Sequence, residues 1–115
     1  MSSSYKQQKI VIDIKKHNFI ILDQNSYFIH EVNPGCYVLI RSKCPHRGGP
    51  LHLGILVKEN DQCFISCPWH DNKFNIKSLI AKQYPLTTKK NKVVLELKTE
   101  NNVNRIELIK KNILI

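Results

Sequence analysis

Two short segments of this 115-residue chain combine residue types that bind transition metals. Cys44-Pro-His46 has one residue between thiol and imidazole, and Cys67-Pro-Trp-His70 has two. Such spacing lets one turn direct both side chains at a single metal centre, and the prolines restrict the backbone so that less entropy is lost on binding. Together the segments supply four candidate ligands.

The ligand types alone leave two metals open. Structural zinc takes two thiolates and two imidazoles as readily as iron does. Zinc modules with two knuckles usually carry a ligand-bearing helix or a Cys-x2-Cys turn. Here each segment mixes Cys with His, and both segments lie among strands, so the spacing favours iron.

Short runs of β-branched and aromatic residues, separated by turn-forming residues, predict strands throughout the chain. The predicted strands cover residues 9–14, 18–22, 26–30, 36–40, 62–66, 73–77, 92–98 and 104–109. Turns are predicted at 23–25 and 33–35, and a polar turn at 99–102 is expected to join the last two strands as a hairpin. No segment keeps a helical period for a dozen residues. The pattern predicts one all-β domain over residues 1–115, a small antiparallel barrel or sandwich.

Residues 43–54 interrupt this pattern with a loop rich in Pro and Gly, which is where function usually lies. The run Cys44-Pro-His46-Arg-Gly-Gly-Pro-Leu51, followed by Cys67-Pro-Trp-His70 and Phe74, resembles the Rieske iron–sulfur domain. The resemblance covers about residues 35–86 and implies a cluster-binding subdomain at about 42–86. It implies one [2Fe-2S] cluster per chain, with Cys44 and Cys67 on one iron and His46 and His70 on the redox-active iron.

Several positions depart from the family pattern. The interval between the two segments predicts a long hairpin around residues 58–61, and Asp71 stands where many relatives have Gly. Respiratory-complex members carry bridging cysteines where this chain has Gly49 and Trp69, so that subclass is disfavoured. Members of high potential carry serine and tyrosine hydroxyls where this chain has Asn72 and Phe74, which implies a lower potential.

The remaining thiols and imidazoles have ordinary explanations. Cys36 and Cys63 are expected to be small buried apolar residues, not ligands. His52 follows the first ligand segment closely enough to approach the cluster, but a loop histidine more often bonds to backbone. Trp69 is expected to cover apolar surface near the cluster, with partner docking as the alternative.

The formal charge of +9 is concentrated in residues 41–92, which contain ten Lys and Arg residues but only three acidic residues. Such a surface attracts acidic partners, although a merely solubilising surface is the alternative. Aromatic residues lie inside apolar strand patterns, so nucleic-acid binding is not expected. No apolar run approaches the roughly 20 residues needed to cross a bilayer. The polar N-terminus lacks an export signal, which predicts a cytoplasmic protein.

These features predict a soluble, monomeric electron carrier without catalysis of its own, which passes one electron from a reductase to a terminal oxygenase or similar enzyme. A small subunit of a larger oxidoreductase, similar to nitrite-reductase small subunits, is the alternative. A zinc-stabilised interaction module is a third possibility. A complete oxygenase is excluded by length, because its catalytic iron needs a second site of two histidines and a carboxylate.

Overall fold

Antiparallel strands form most of the regular structure in the computed structural model, which describes residues 8–44, 48–69, 72–98 and 103–113. The strands in those ranges are β1 (Gln8–Asp13), β2 (Phe19–Leu22), β3 (Asn25–Asn33), β4 (Cys36–Arg41), β5 (Ile55–Glu59), β6 (Gln62–Ser66), β7 (Lys73–Asn75), β8 (Leu86–Lys89), β9 (Lys92–Leu97) and β10 (Ile106–Ile109). One 3-10 turn (Leu51–Leu53) and one helical turn, α1 (Ile76–Leu79), complete the described elements. The predicted all-β, antiparallel fold is confirmed.

The strands form three sheets. The first has the order β1-β9-β8, the second has the order β10-β2-β3-β4, and the third has the order β5-β6-β7. Neighbouring strands are antiparallel in all three. β8 also lies against β4, which joins the first sheet to the second along one side.

Apolar residues cover both faces of the second sheet. Ile20, Tyr27 and Leu39 point to one face, where they join the buried Val93 and Leu95 of the first sheet. The next residues along two of those strands, Phe28 and Ile40, point to the opposite face and belong to a second buried cluster. This cluster also contains Cys44, Leu51, Ile65, Cys67, Ile76 and Leu79. Since a strand buried on both faces needs apolar residues at consecutive positions, β2 is an unbroken Phe-Ile-Ile-Leu run.

The first sheet buries only one face. In β9, Val93, Leu95 and Leu97 are buried, and the residues between them point outward. This alternation with a period of two is the pattern of a sheet with one side in water.

The predicted C-terminal hairpin is wrong. β9 pairs with β1 and β8, whereas β10 pairs with β2. The Asp23 carboxylate accepts the N–H groups of Asn104 and Arg105 at 2.9 and 2.8 Å, and the Asp23 N–H donates to the Arg105 carbonyl at 2.8 Å. These bonds fix β10 beside the β2–β3 turn, and both edges of β9 are already paired.

The strand predicted over residues 73–77 is correct only as far as Asn75. The Asn75 side chain accepts the Lys77 N–H at 3.0 Å, and the Ser78 hydroxyl donates to the Asn75 carbonyl at 2.7 Å. Asn is a favoured N-cap because its side chain satisfies an N–H that has no intrahelical partner. The helical turn that follows buries Ile76 and Leu79, which are three residues apart and share one face.

The long hairpin predicted around residues 58–61 is confirmed. β5 and β6 pair from Ile55–Ser66 to Glu59–Gln62, and Asn60 and Asp61 turn the chain with positive φ values of 50° and 63°. Asn and Asp tolerate this left-handed region better than most residues. The sequence patterns missed β5 and β8.

Candidate metal centre

The first ligand segment leaves the end of β4 and is closed at its base by backbone hydrogen bonds. The Cys44 N–H donates to the Gly49 carbonyl at 2.7 Å, and the Gly48 N–H donates to the Cys44 carbonyl at 2.8 Å. Just outside, Lys43 and Pro50 form an antiparallel bridge. These bonds hold Gly48 and Gly49 against Cys44, which lies at the closed base of the segment.

The second segment leaves β6 and is closed in the same way. The Cys67 N–H donates to the Asn72 carbonyl at 2.9 Å, and the next pair outward, Ser66 with Lys73, belongs to the β6–β7 ladder. In both segments the cysteine N–H thus bonds to the carbonyl five residues later. His46 and His70 lie between these closure points along the chain, and both are outside the described residues.

The two cysteines share one buried environment. Cys44 is 3% exposed and Cys67 is fully buried, and both belong to the second buried cluster. All four cysteines of the chain are described, and none is in a disulfide. Two buried thiols that the backbone brings to one cluster suit thiolate ligation, since the soft sulfur donor is the preferred ligand of iron–sulfur clusters.

Gly49 holds the two segments in close contact. A Cβ atom placed on Gly49 would lie 2.7 Å from Cys67 Sγ and 3.2 to 3.3 Å from two carbon atoms of the Trp69 ring system. Because side-chain carbons do not approach so closely, only glycine allows the first segment to lie against the second ligand cysteine. The position at which respiratory relatives carry a cysteine therefore has no room for a side chain in this arrangement.

Trp69 lies against Gly49 beside Cys67, yet its side chain remains 62% exposed. Most of the Trp69 side chain therefore faces solvent, and only the part of the ring near Gly49 is covered. Leu53 and Ile55 are also exposed large apolar residues in the described range 48–69. The cysteine end of the molecule consequently presents apolar side chains to solvent.

The other cysteines differ from each other. Cys63 is half-buried and packs against the second buried cluster on the same side of β6 as Ile65 and Cys67, as predicted. Cys36 is exposed, so the prediction of burial is wrong for this residue. Its position explains the difference, because it opens β4 directly after Gly35 and pairs with the exposed Asn33 beyond a register shift.

His52 packs on the second sheet near the first segment. Its ring meets Phe19 edge to face with centroids 5.3 Å apart, and its Nδ1 is buried without a hydrogen-bond partner among the described residues. Burial lowers the pKa of His52, Lys111 lowers it further, and the backbone of Ser42 acts in the opposite direction. The hydrogen bond between His52 and the Ser42 backbone is the interaction expected of a loop histidine.

Cationic side chains flank the first ligand cysteine. Arg41 and Lys43 line a pocket of about 280 Å³ whose wall includes Cys44, together with Tyr27 and Gln83. No carboxylate is among its described lining residues. The Ser26 and Ser42 hydroxyls hydrogen-bond to each other beneath this rim.

Within the described ranges, no group of three or more His, Cys, Asp or Glu side chains is placed to hold a metal. This result fits a centre whose two histidines lie outside those ranges. No helix there is long and apolar enough to cross a membrane.

A comparison with protein families agrees with this geometry. A family model described as the Rieske [2Fe-2S] domain matches residues 4–112, nearly the whole chain. The chain belongs to the Rieske [2Fe-2S] family. It binds one [2Fe-2S] cluster, as predicted, and proteins of this family act in electron transfer.

Sequence reasoning singled out Cys44 and Cys67 as candidate ligands but missed the residues that position them. Gly49 matters because it lies close to Cys67, a residue of the other loop. Sequence spacing does not show which residues of two loops meet in space. The bonds to Gly49 and Asn72 use backbone carbonyls, which every residue carries. The sequence offers one weak signal for these bonds: each candidate ligand cysteine is followed five positions later by a turn-forming residue.

Replacing Gly49 with Ala should reduce cluster content. The added methyl group meets Cys67 Sγ at 2.7 Å, and overpacking of this kind costs about 1 to 3 kcal/mol. Iron per chain, visible absorbance and urea unfolding measure the effect. Gly48→Ala is the matched control, because Gly48 has a φ of 75° and open space around it. That variant should lose about 1 kcal/mol through backbone strain but keep its iron. Equal iron content in both variants would contradict the role given to Gly49.

Proposed function

We propose that this protein carries single electrons from a reductase to an oxygenase or a related redox enzyme in the cytoplasm. One observation supports the proposal above all: two buried cysteines close two similar loops, and those loops touch through Gly49 beside Cys67. When bound, the cluster supplies reversible one-electron chemistry. The free thiols of Cys36 and Cys63 suit a reducing compartment.

Cys44 and Cys67 are proposed to hold one iron, and His46 and His70 the other. The cysteine sulfurs lie at the buried base of the two loops, packed on Leu51 and Ile65. This packing orients the thiolates and excludes water from the inner side of the site. Residues 42–86 are taken as the cluster-binding subdomain, since they contain both loops and the third sheet.

The purified protein is expected to contain two irons and two acid-labile sulfides per chain. His70→Ala should lose its iron, because one metal atom would retain a single protein ligand. Matched controls remove the same residue types away from the loops: Cys36→Ser and His17→Ala should keep full iron content and an unchanged visible spectrum.

A colourless protein with one zinc would support the zinc module instead. A larger redox enzyme that copurifies at fixed stoichiometry would support the subunit alternative.

Arg41 and Lys43 suit docking of an acidic partner near Cys44. Both positive charges lie at the rim of a pocket, and none of the described residues that line this pocket is acidic. In the oxidised state the charges of two ferric ions, two sulfides and two thiolates cancel, so the bound group leaves this positive surface unopposed. Leu53, Ile55 and Trp69 add apolar area near the same loops. A cationic rim with exposed apolar groups is suited to rapid, reversible association.

Reversing these charges should slow electron exchange. Arg41→Glu with Lys43→Glu is expected to lower the rate of reduction by a flavin-containing ferredoxin reductase roughly tenfold at low salt. The difference should disappear as the Debye length falls from about 10 Å at 0.1 M to about 3 Å at 1 M. Stopped-flow absorbance measures the rate, and the visible spectrum checks that the cluster is intact. Lys89→Glu with Lys92→Glu makes the same charge change away from the loops and should have little effect on this rate.

Phe74 lies on the same sheet face as the proposed ligand Cys67. It pairs with Ile65 in the β6–β7 ladder and packs against the cluster of buried residues that contains Cys67. Directly opposed residues share a sheet face, and Cys67 follows Ile65 by two positions, so all three side chains lie on one side. A phenylalanine donates no hydrogen bond, which keeps the potential toward the lower end of the family range of about −150 to +300 mV.

Phe74→Tyr should therefore raise the reduction potential. A hydroxyl bond that stabilises the more negative reduced state by about 1 to 2 kcal/mol corresponds to a rise of roughly 40 to 90 mV. Spectroelectrochemical titration measures the change. Phe64→Tyr is the control, since Phe64 is half-buried on the same strand as Ile65 but points to the other face of the sheet. An equal shift in both variants, or none in Phe74→Tyr with its cluster intact, would assign the potential to another feature.

A further inference from the structure

The outward face of the first sheet contains a groove of about 730 Å³. Its floor contains Val11 and Val94, which are directly paired in the β1–β9 ladder. Its sides include Lys9, Lys89, Lys90 and Lys92. We call this feature the lysine groove. No step of the electron-transfer function uses it.

The floor of the lysine groove is apolar surface without cover. Val93 and Leu95 point into the core, so Val94 between them points outward. Val11 is 57% exposed and is one of four exposed large apolar residues in the part of the chain that the structure describes. Exposed apolar residues on adjacent strands form a contiguous patch, and such patches mark interaction sites when charged residues surround them.

The charge of the lysine groove is strongly positive at one end. Lys89 and Lys92 are directly opposed in the β8–β9 ladder, and like charges in that arrangement destabilise a sheet. Lys90, in the turn between them, has a φ of 56°, a conformation that is unfavourable for a residue other than glycine. None of the groove lysines makes an ion pair within the described ranges. Lys89, Lys90 and Lys92 therefore add no stability to the β8–β9 hairpin.

Neighbouring carboxylates do not neutralise this end. Glu96 is the single acidic residue among the described lining, and it pairs with Lys9 in the ladder, at the opposite end of the floor. Asp13 is opposed to Lys92 but makes no ion pair within the described ranges, and one carboxylate beside Lys89, Lys90 and Lys92 leaves this end positive. An anionic group from outside the chain can therefore approach Lys89 and Lys92.

The lysine groove is distant from the ligand cysteines. The Thr88 hydroxyl donates to the Gly35 carbonyl at 2.7 Å, which places the β8–β9 hairpin beside the start of β4. Cys44 follows the other end of β4, and the six residues of that strand alone extend roughly 20 Å. Because electron tunnelling weakens exponentially with distance, a partner bound in this groove would leave the cysteine end as the site of electron exchange.

We propose that the lysine groove binds an extended, acidic segment of a partner protein. The rows of outward residues on the sheet are two residues apart along each strand, roughly 7 Å, which is also the spacing of alternate side chains in an extended peptide. A peptide that places an apolar side chain on Val11 and Val94 consequently places its next inward side chain at Lys89 and Lys92. An aspartate or glutamate at that peptide position would lie beside the two lysine ammonium groups.

Other ligands fit this surface less well. Single-stranded nucleic acid is bound by stacking on aromatic rings, and the described lining contains none. A bilayer is bound by protruding apolar side chains, whereas these valines form the floor of a groove. Small-molecule sites direct a few buried polar groups inward, but the lysines here are at the exposed sides.

Fluorescence anisotropy with the full-length, cluster-loaded protein tests this proposal. The probe is a labelled peptide in which Asp and Val occupy alternate inward positions and Ser fills the others. The control peptide has the same composition but a separate block of Asp and a separate block of Val. The alternating peptide should bind at least about tenfold more tightly than the block peptide. Equal binding of both would overturn the proposed match of spacing.

Two pairs of variants with the same charge change locate the binding. Lys89→Glu with Lys92→Glu should weaken peptide binding about tenfold or more, whereas Arg41→Glu with Lys43→Glu should change it less than about twofold. Val11→Ser should weaken binding without any change of charge. Equal losses in the two charge variants would show attraction by net charge only and would overturn the proposal.

Two further probes distinguish the other anionic ligands. A labelled oligo-dT strand and vesicles containing phosphatidylserine should bind more weakly than the alternating peptide. If either binds more tightly and loses that affinity in the Lys89→Glu, Lys92→Glu variant, the groove has a different ligand and the proposal fails. Peptide binding does not depend on the electron-transfer assignment, because it is measured without a redox partner. Loss of the proposed electron-carrier function would therefore leave this result unchanged.

Discussion

Burial of the second sheet on both faces determines where the other parts of the molecule lie. Its strands carry apolar side chains at consecutive positions, so neither face can be left in water without a large loss of hydrophobic stabilisation. The first sheet covers one face through Val93 and Leu95. The ligand loops and the third sheet cover the other, and Cys44 and Cys67 are part of that cover. The two cysteine sulfurs are thus attached to the buried core of the protein.

In this arrangement, different parts of each loop position the cysteine and contact partner proteins. The inner part of each loop is a buried cysteine whose own N–H closes the turn, so its position is set by backbone geometry and core packing. The outer part carries exposed groups such as Trp69, and Arg41 and Lys43 lie at the rim. Changes at the rim can therefore alter partner recognition while the thiolates keep their places. The exposed Lys73–Glu59 ion pair links β5 and β7 but adds little stability, because both groups remain in water.

Local patterns predicted most strands and both ligand cysteines, because β-branched runs and Cys-Pro motifs are features of neighbouring residues. The pairing of β10 could not be predicted in this way. A polar turn between two strands suggested a hairpin, and only the Asp23 bonds to Asn104 and Arg105 show why β10 joins β2. The helical turn after Asn75 was missed because Lys73 to Lys77 alternates like a strand, although Asn75 is also a good N-cap. The contact of Gly49 with Cys67 joins two loops, and its importance is visible only in three dimensions.

The order of strand pairing has a consequence for how the protein folds. β1 pairs with β9, and the bond from Arg105 to Asp23 joins residues 82 positions apart. The first and second sheets therefore both need strands from early and late in the sequence. Such long-range pairing requires the loss of much chain entropy before contacts compensate for it, which makes folding slow relative to that of proteins with local contacts. A nascent chain that has emerged only as far as Cys67 contains both candidate ligand thiols but lacks β7, β8, β9 and β10. Stable placement of those thiols therefore waits for the last strands, and cluster insertion during synthesis would meet an incomplete scaffold.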